Sequence, residues 1–168
     1  MKNKNDTSVD GCIFSENRKT ILLIKRRDVP VWVLPGGGID SGETPEKAII
    51  REIEEETGYI TKIVRKTGEY TPINRLTRFT HLFDCAIYSG SPNSNEETKE
   101  IRFFPLDRLP PMPPPYLEWI NDSTKNSPFL IKKKLSEVTY RKLFYFLITH
   151  PILVTRFLLS RIGLSINS

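Results

Sequence analysis

Leu34 to Tyr59, LPGGGIDSGETPEKAIIREIEEETGY, carries a glycine cluster into a segment crowded with carboxylates. Thr44 is placed to cap a helix N-terminus, Pro45 stands at the first helical position, where a missing N–H costs nothing, and Gly58 follows as a stop. These signals predict a helix over 45–57. At about 100° per residue, Glu52, Glu55 and Glu56 share one arc, and Ile49, Ile50 and Ile53 form a neighbouring arc toward the core. Lys47, Arg51 and Glu54 are left for the side facing solvent or a neighbouring loop. One face of this helix therefore carries only acid.

A run of glutamates is by itself a solvated face, because like charges three or four apart cost only about 0.2–0.5 kcal/mol per pair. The glycines change that reading. Gly36, Gly37 and Gly38 predict a turn just upstream, with room for close backbone approach, and a helix N-terminus favours anions. A hard cation such as Mg²⁺ takes carboxylate and carbonyl oxygens and commonly shares its shell with substrate phosphates. Carboxylates beside a glycine carbonyl provide such ligands.

Gly37, five residues, Glu43, seven residues, Arg51-Glu52-Ile53-x-Glu55-Glu56-x-Gly58 and then Tyr59 resembles the signature box of the Nudix (MutT-like) hydrolases, here 37–59. Every fixed position is filled. The one departure is Tyr59, where the family usually has an aliphatic residue, and it lies on the packing side. The resemblance implies an α/β fold, an α/β/α sandwich with a mixed sheet, and a metal-dependent pyrophosphohydrolase that cleaves a nucleoside diphosphate linked to another moiety. It implies Mg²⁺, with Mn²⁺ as the alternative, held by Glu52, Glu55, Glu56 and the Gly37 carbonyl. Glu52 is then ligand, base or both; Arg51 orients a box carboxylate; Glu43 braces the loop or reaches the metal through water; Gly38 and Gly58 shape the box. An acidic loop later in the family supplies another ligand or the base, and Glu97 is its counterpart here, with Glu100 second. The alternative from another class is a nucleotide-sensing module that does not hydrolyse. Such modules typically lose box carboxylates, and all are present here.

Around the box, periodicity predicts strands at 9–14, 20–26, 31–34, 60–65, 69–72 and 78–88, and composition predicts a loop at 89–95. In the family, a residue such as Arg26 or Arg27 approaches substrate phosphate; a basic strand end in solvent is the plainer reading. His81 reads as packed or surface rather than as a base. Trp32, Tyr70 and Phe79 are candidates to stack on a base, with packing as the alternative for each. Residues 110–115, PPMPPP, exclude helix and strand interiors. A short helix over 116–121, packing Leu117, Trp119 or Ile120, and a polar linker over 121–128 are expected next. Cys12 and Cys85 lack metal-ligand spacing and read as buried reduced thiols of a cytosolic protein, with a disulfide as the alternative. Met1 to Ser8 has no apolar core of a signal peptide.

The charge is divided along the chain. Of 25 basic and 20 acidic residues, eight and one lie after residue 122, which leaves −2 on residues 1–122 and +7 on 123–168. We therefore expect a hydrolase domain over 1–122 and a basic, apolar, helical extension over 123–168. Because the basicity belongs to the extension, nucleic acid is not expected as the partner of the catalytic domain. The apolar runs of the extension are interrupted by His150, Pro151 and Arg156, too often for a span of about 20 residues. Three readings stay open: helices broken near Pro151 that pack on the domain or on a second subunit as a homodimer, contact of 129–166 with an anionic membrane from the cytoplasmic side, or an acidic partner.

Overall fold

Residues 21–24, Ile-Leu-Leu-Ile, form an unbroken apolar run of the kind found in strands covered on both faces. In the computed structural model, which describes residues 7–149 together with 151, 152, 155, 156 and 159, they are the buried centre of β2 (Thr20–Arg26). Strand alternation sends neighbours to opposite sides. Ile21 and Leu23 pack with Cys12, Leu82, Trp119 and Ile120, whereas Leu22 packs with Ile13, Phe83, Ala48, Ile49 and Ile53. The two clusters are roofed by different helices: α1 (Pro45–Thr57) over the second and α2 (Tyr116–Thr124) over the first.

Between the helices lie two sheets. One has the order β4-β1-β6-β5-β8, built from β1 (Thr7–Ile13), β4 (Gly36–Gly38), β5 (Tyr59–Pro72), β6 (Phe79–Gly90) and β8 (Ile131–Leu135). The other has the order β3-β2-β7, with β3 (Trp32–Val33) and β7 (Thr98–Pro105) flanking β2. β1 runs parallel to β6 and antiparallel to β4, so the sheet is mixed. The α/β class and the mixed sheet are as expected. Helix α3 (Tyr140–Thr149) lies in the extension.

Four local expectations change. The glycine turn is instead strand β4, paired with β1 through Ser8–Gly38, Val9–Gly37 and Asp10–Gly36. That pairing uses backbone groups alone, so no side-chain pattern announces it, and a Cβ on Gly36 would collide with the Val9 carbonyl oxygen. The strands expected at 60–65 and 69–72 are one strand, β5, whose bulges between Ile60 and Thr61, Ile63 and Arg65, and Lys66 and Gly68 break the alternation. The linker expected from 121 is partly helix: Asp122 and Ser123 are buried, Asp122 accepts the Tyr70 hydroxyl at 3.0 Å and the Ser123 carbonyl accepts Arg65 at 2.8 Å. Leu117 is exposed, and Trp119 and Ile120 do the packing.

The fourth change is in the extension. Ile131–Leu135, expected to be helical, is strand β8, parallel to β5 from Gly68–Ile131 to Pro72–Leu135. Its sequence IKKKL has apolar ends four apart, a spacing compatible with either period, and the open edge of β5 decides it. Both cysteines are buried free thiols, and burial pushes the Cys85 thiol up to about 12. The helix expected beyond Pro151 and the leader reading of residues 1–6 fall largely outside the described residues.

Candidate active site

α1 has the bounds that its capping residues predict. Thr44 Oγ1 accepts the Lys47 N–H at 3.3 Å, and Gly58 closes the helix at φ 75° with its N–H on the Glu54 carbonyl. Ile49 and Ile53 are fully buried, which turns the glutamates toward β4. There Gly37 meets Glu52: a Cβ at Gly37 would stand 2.5 Å from Glu52 Oε2, so only glycine lets that carboxylate lie against the strand. Glu56 is buried and its Oε2 accepts the Gly36 N–H at 2.8 Å.

Arg51 is the hub of the site. Its Nε and Nη2 grip both oxygens of Glu43 at 3.0 and 2.9 Å. Nη1 reaches Glu52 at 2.9 Å and Glu55 at 3.1 Å, and Nη2 also donates to the Gly38 carbonyl at 3.1 Å. Glu43 in turn accepts the Asp40 N–H at 3.0 Å, which pins the loop before α1. One guanidinium thus spaces three glutamates, a use for which its planar fork is suited and a lysine is not. The side expected to face solvent or a loop holds the residue that organises the acidic arc.

The loop before β7 is sewn to the other end of α1. Asn93 N–H donates to the Thr57 carbonyl at 2.9 Å and Asn95 Nδ2 to the Glu55 carbonyl at 2.6 Å. Asn95 Oδ1 accepts the N–H groups of Glu97 and Thr98, and Arg27 holds the same loop through the Asn95 and Glu97 carbonyls. Glu97 is thereby delivered to a cleft of about 600 Å³ lined by Gly36, Gly37, Gly38, Glu52, Glu55, Glu56 and Arg26. Glu100 is not: it pairs with Lys25 at 2.9 Å across β2 and β7. His81 stands 3.7 Å from Glu69 and edge-on to Phe79, outside the residues lining the cleft. Tyr70 is buried with its hydroxyl on Asp122, and Trp32 packs against Phe104.

The electrostatics are those of a carboxylate cluster short of positive charge. Burial pushes Glu56 up to about 8, with Glu52 adding to the rise and the Gly36 N–H opposing it. Burial also raises Glu52, against the pull of Arg51. The Arg51 hydrogen bonds hold Glu43 below the usual carboxylate range. Two residues behind the cleft carry no sequence signal beyond an acid in an apolar strand and an aromatic at a helix start. Asp10 is raised well above its ordinary value by burial and by Glu56 and Glu52, and the phenol of the partly buried Tyr116 is raised by desolvation and by Asp10. Arg26 lines the cleft with its guanidinium held on Asp28 at 2.8 and 2.6 Å.

The donors around the cleft are oxygens alone, the set that a hard divalent cation takes. Among the described residues no three acidic, histidine or cysteine side chains converge into a closed cluster. Arg51 and the Gly36 N–H hold the oxygens apart instead. The raised Glu56 and Glu52 nevertheless fit a cation, because a positive charge between them would offset what burial and mutual repulsion cost.

The family model of the NUDIX domain matches residues 4–124. The chain belongs to the Nudix family. This Nudix chain is 39% identical over 109 residues to the ADP-ribose pyrophosphatase of Methanocaldococcus jannaschii, across 61% of this chain and 63% of that protein. A crystal structure of an ADP-ribose pyrophosphatase from Streptococcus suis matches with a TM-score of 0.63 and 25% identity, over 76% of this chain and 97% of that one. The Nudix hydrolase of Nitrosomonas europaea matches with a TM-score of 0.66 over 80% and 81% of the two chains; at 18% identity the likeness is one of fold. The chain spans less than two thirds of the length of the curated relatives it matches.

Proposed function

We propose that this Nudix domain hydrolyses the pyrophosphate linkage of a nucleoside diphosphate joined to another moiety. The observation that carries this reading is the convergence of Glu52, Glu55, Glu56, Gly37 and Glu97 on one cleft that also presents Arg26. Glu52, Glu55, Glu56 and the Gly37 carbonyl would hold Mg²⁺ or Mn²⁺, with Glu97 as a further ligand. Such a cation offsets phosphate charge and lowers the pKa of a bound water.

The chain's own groups then have distinct tasks. Glu52 or Glu97 takes a proton from the attacking water, whose oxygen forms a bond to one phosphorus as the bridging P–O bond breaks and its electron pair leaves with the second phosphate. Arg51 keeps Glu52 and Glu55 in place, and Glu43 keeps Arg51 in place. Arg26, tethered by Asp28, sits where a phosphate oxygen can meet it.

The relatives named as ADP-ribose pyrophosphatases put ADP-ribose first in a test panel, beside a nucleotide sugar, a dinucleoside polyphosphate, and ordinary and oxidised triphosphates. With Mg²⁺, chromatography should show one of these cleaved to a nucleoside monophosphate, and Glu55→Gln and Glu56→Gln should abolish the product. Binding of a nucleotide with no turnover of any compound would overturn hydrolysis in favour of a sensor.

A further inference from the structure

Among the described residues no strand or other helix packs closely on α3. Tyr140, Phe144 and Ile148 recur every four residues along it and are 58, 64 and 66% exposed; Ile152, just past its end, is 74% exposed. No side chain described in α3 is buried. A ten-residue helix is marginal in water on its own, and a contiguous exposed apolar patch marks a surface that meets something. Phe129, 80% exposed just before β8, adds to the same region of the chain.

The charges around it say what that something is. β8 alternates: Lys133 turns inward onto the buried Asp122 at 2.6 Å, whereas Lys132 and Lys134 are exposed. Lysines on an edge strand also block unwanted pairing, and Lys132 stands 3.5 Å from Glu69, but here they precede the exposed aromatic residues of α3 by a few residues of chain, with exposed Arg141 and Lys142 at its start. Glu137, paired with Lys142, is the only acid of the extension. The region is fixed to the domain, since Asn74 Nδ2 donates to the Val138 carbonyl at 2.6 Å in the loop between β8 and α3. A second copy laid on this stripe would bring arginine and lysine against arginine and lysine. A surface of lipid phosphates and carboxylates complements them, and tyrosines beside aliphatic residues suit the boundary between headgroup and acyl chain. Among the described residues no helix is long and apolar enough to cross a membrane, so the contact is with its surface.

We propose that α3 and the outer lysines of β8 dock this Nudix domain on an anionic lipid bilayer. The test is cosedimentation of the full chain with phosphatidylcholine vesicles with and without phosphatidylserine. The chain should pellet with the anionic vesicles only, and less so as salt rises. Phe144→Glu with Ile148→Glu should weaken binding at least about tenfold by removing two apolar side chains from the interface. Each of Lys132→Gln and Lys134→Gln should weaken it on the order of fivefold. Melting temperature and nucleotide hydrolysis should stay unchanged in all three variants, because every altered side chain is exposed and none lines the cleft. Equal pelleting with neutral vesicles, no pelleting with anionic ones, or full retention by the Phe144/Ile148 variant would overturn the proposal. A concentration-dependent dimer that the same variant dissolves, without vesicle binding, would assign the stripe to a second subunit instead.

Discussion

α1 and α3 begin alike and end in opposite circumstances. Each starts behind a threonine whose hydroxyl accepts the N–H three residues on, Thr44 for Lys47 at 3.3 Å and Thr139 for Lys142 at 3.2 Å. α1 reads IREIEEE through its centre and is the more charged, yet it buries Ala48, Ile49 and Ile53 completely. α3 reads LFYFLI and leaves Tyr140 and Phe144 more than half exposed. Apolar content does not decide burial; spacing against an available surface does. Two isoleucines and one alanine seat α1 on the sheet, and what is left of its circumference is free to carry acid.

Several substitutions sharpen or erase that contrast. The largest difference is expected in the core. Ile53→Ala should lower unfolding free energy by about 2–5 kcal/mol, and Phe144→Ala should stay within about 0.5 kcal/mol, both read from urea denaturation. A comparable loss in the second variant would mean that α3 packs on the domain in solution. Next comes the charge hub. Arg51→Lys keeps the charge and loses the fork, and should reduce kcat/KM about 10–100-fold, whereas Arg141→Lys should be silent toward nucleotides.

A pH effect is confined to the acidic helix. Glu56 titrates near 4.5 when unfolded and near 8 when folded, so the folded chain holds this proton more tightly. Its stabilising contribution is full below the lower value and is lost as pH rises through the upper one. Calorimetry of the cation-free protein should therefore show the melting temperature falling across that window. Glu56→Gln should flatten the fall, and added Mg²⁺ should oppose it by favouring the ionised form. A pH-independent melting temperature over the same window would contradict the burial assigned to Glu56. The smallest effect separates the two caps: Thr44→Ala should cost about 1 kcal/mol, and Thr139→Ala should not move the global transition.

The parts of this molecule that were legible in its sequence are those fixed by neighbours along the chain. The bounds of α1, the strand at 20–26 and the acidic arc follow from caps, periods and breakers that act over a few residues. β4 was hidden because three glycines offer no pattern and their pairing depends on β1, more than twenty residues upstream. β8 and the end of α2 were hidden for the same kind of reason. Tyr70 and Asp122 make a buried polar pair closed by the half-buried Lys133, and these polar or amphipathic residues meet only through one another. In the cleft, the box glutamates were readable from spacing, and Glu97 from the family resemblance. The tethers that bring Glu97 there, Asn93, Asn95 and Arg27, were not, since each bonds to backbone groups distant in sequence.

The single hydrogen bond from the Gly36 amide to Glu56 joins the rim of the larger sheet to the most deeply seated carboxylate of the cleft. Anything that competes for that carboxylate oxygen weakens its bond to the amide. Deuterium uptake at one glycine, or the shift of its amide resonance, then becomes a meter of cleft occupancy that needs neither a known substrate nor any turnover.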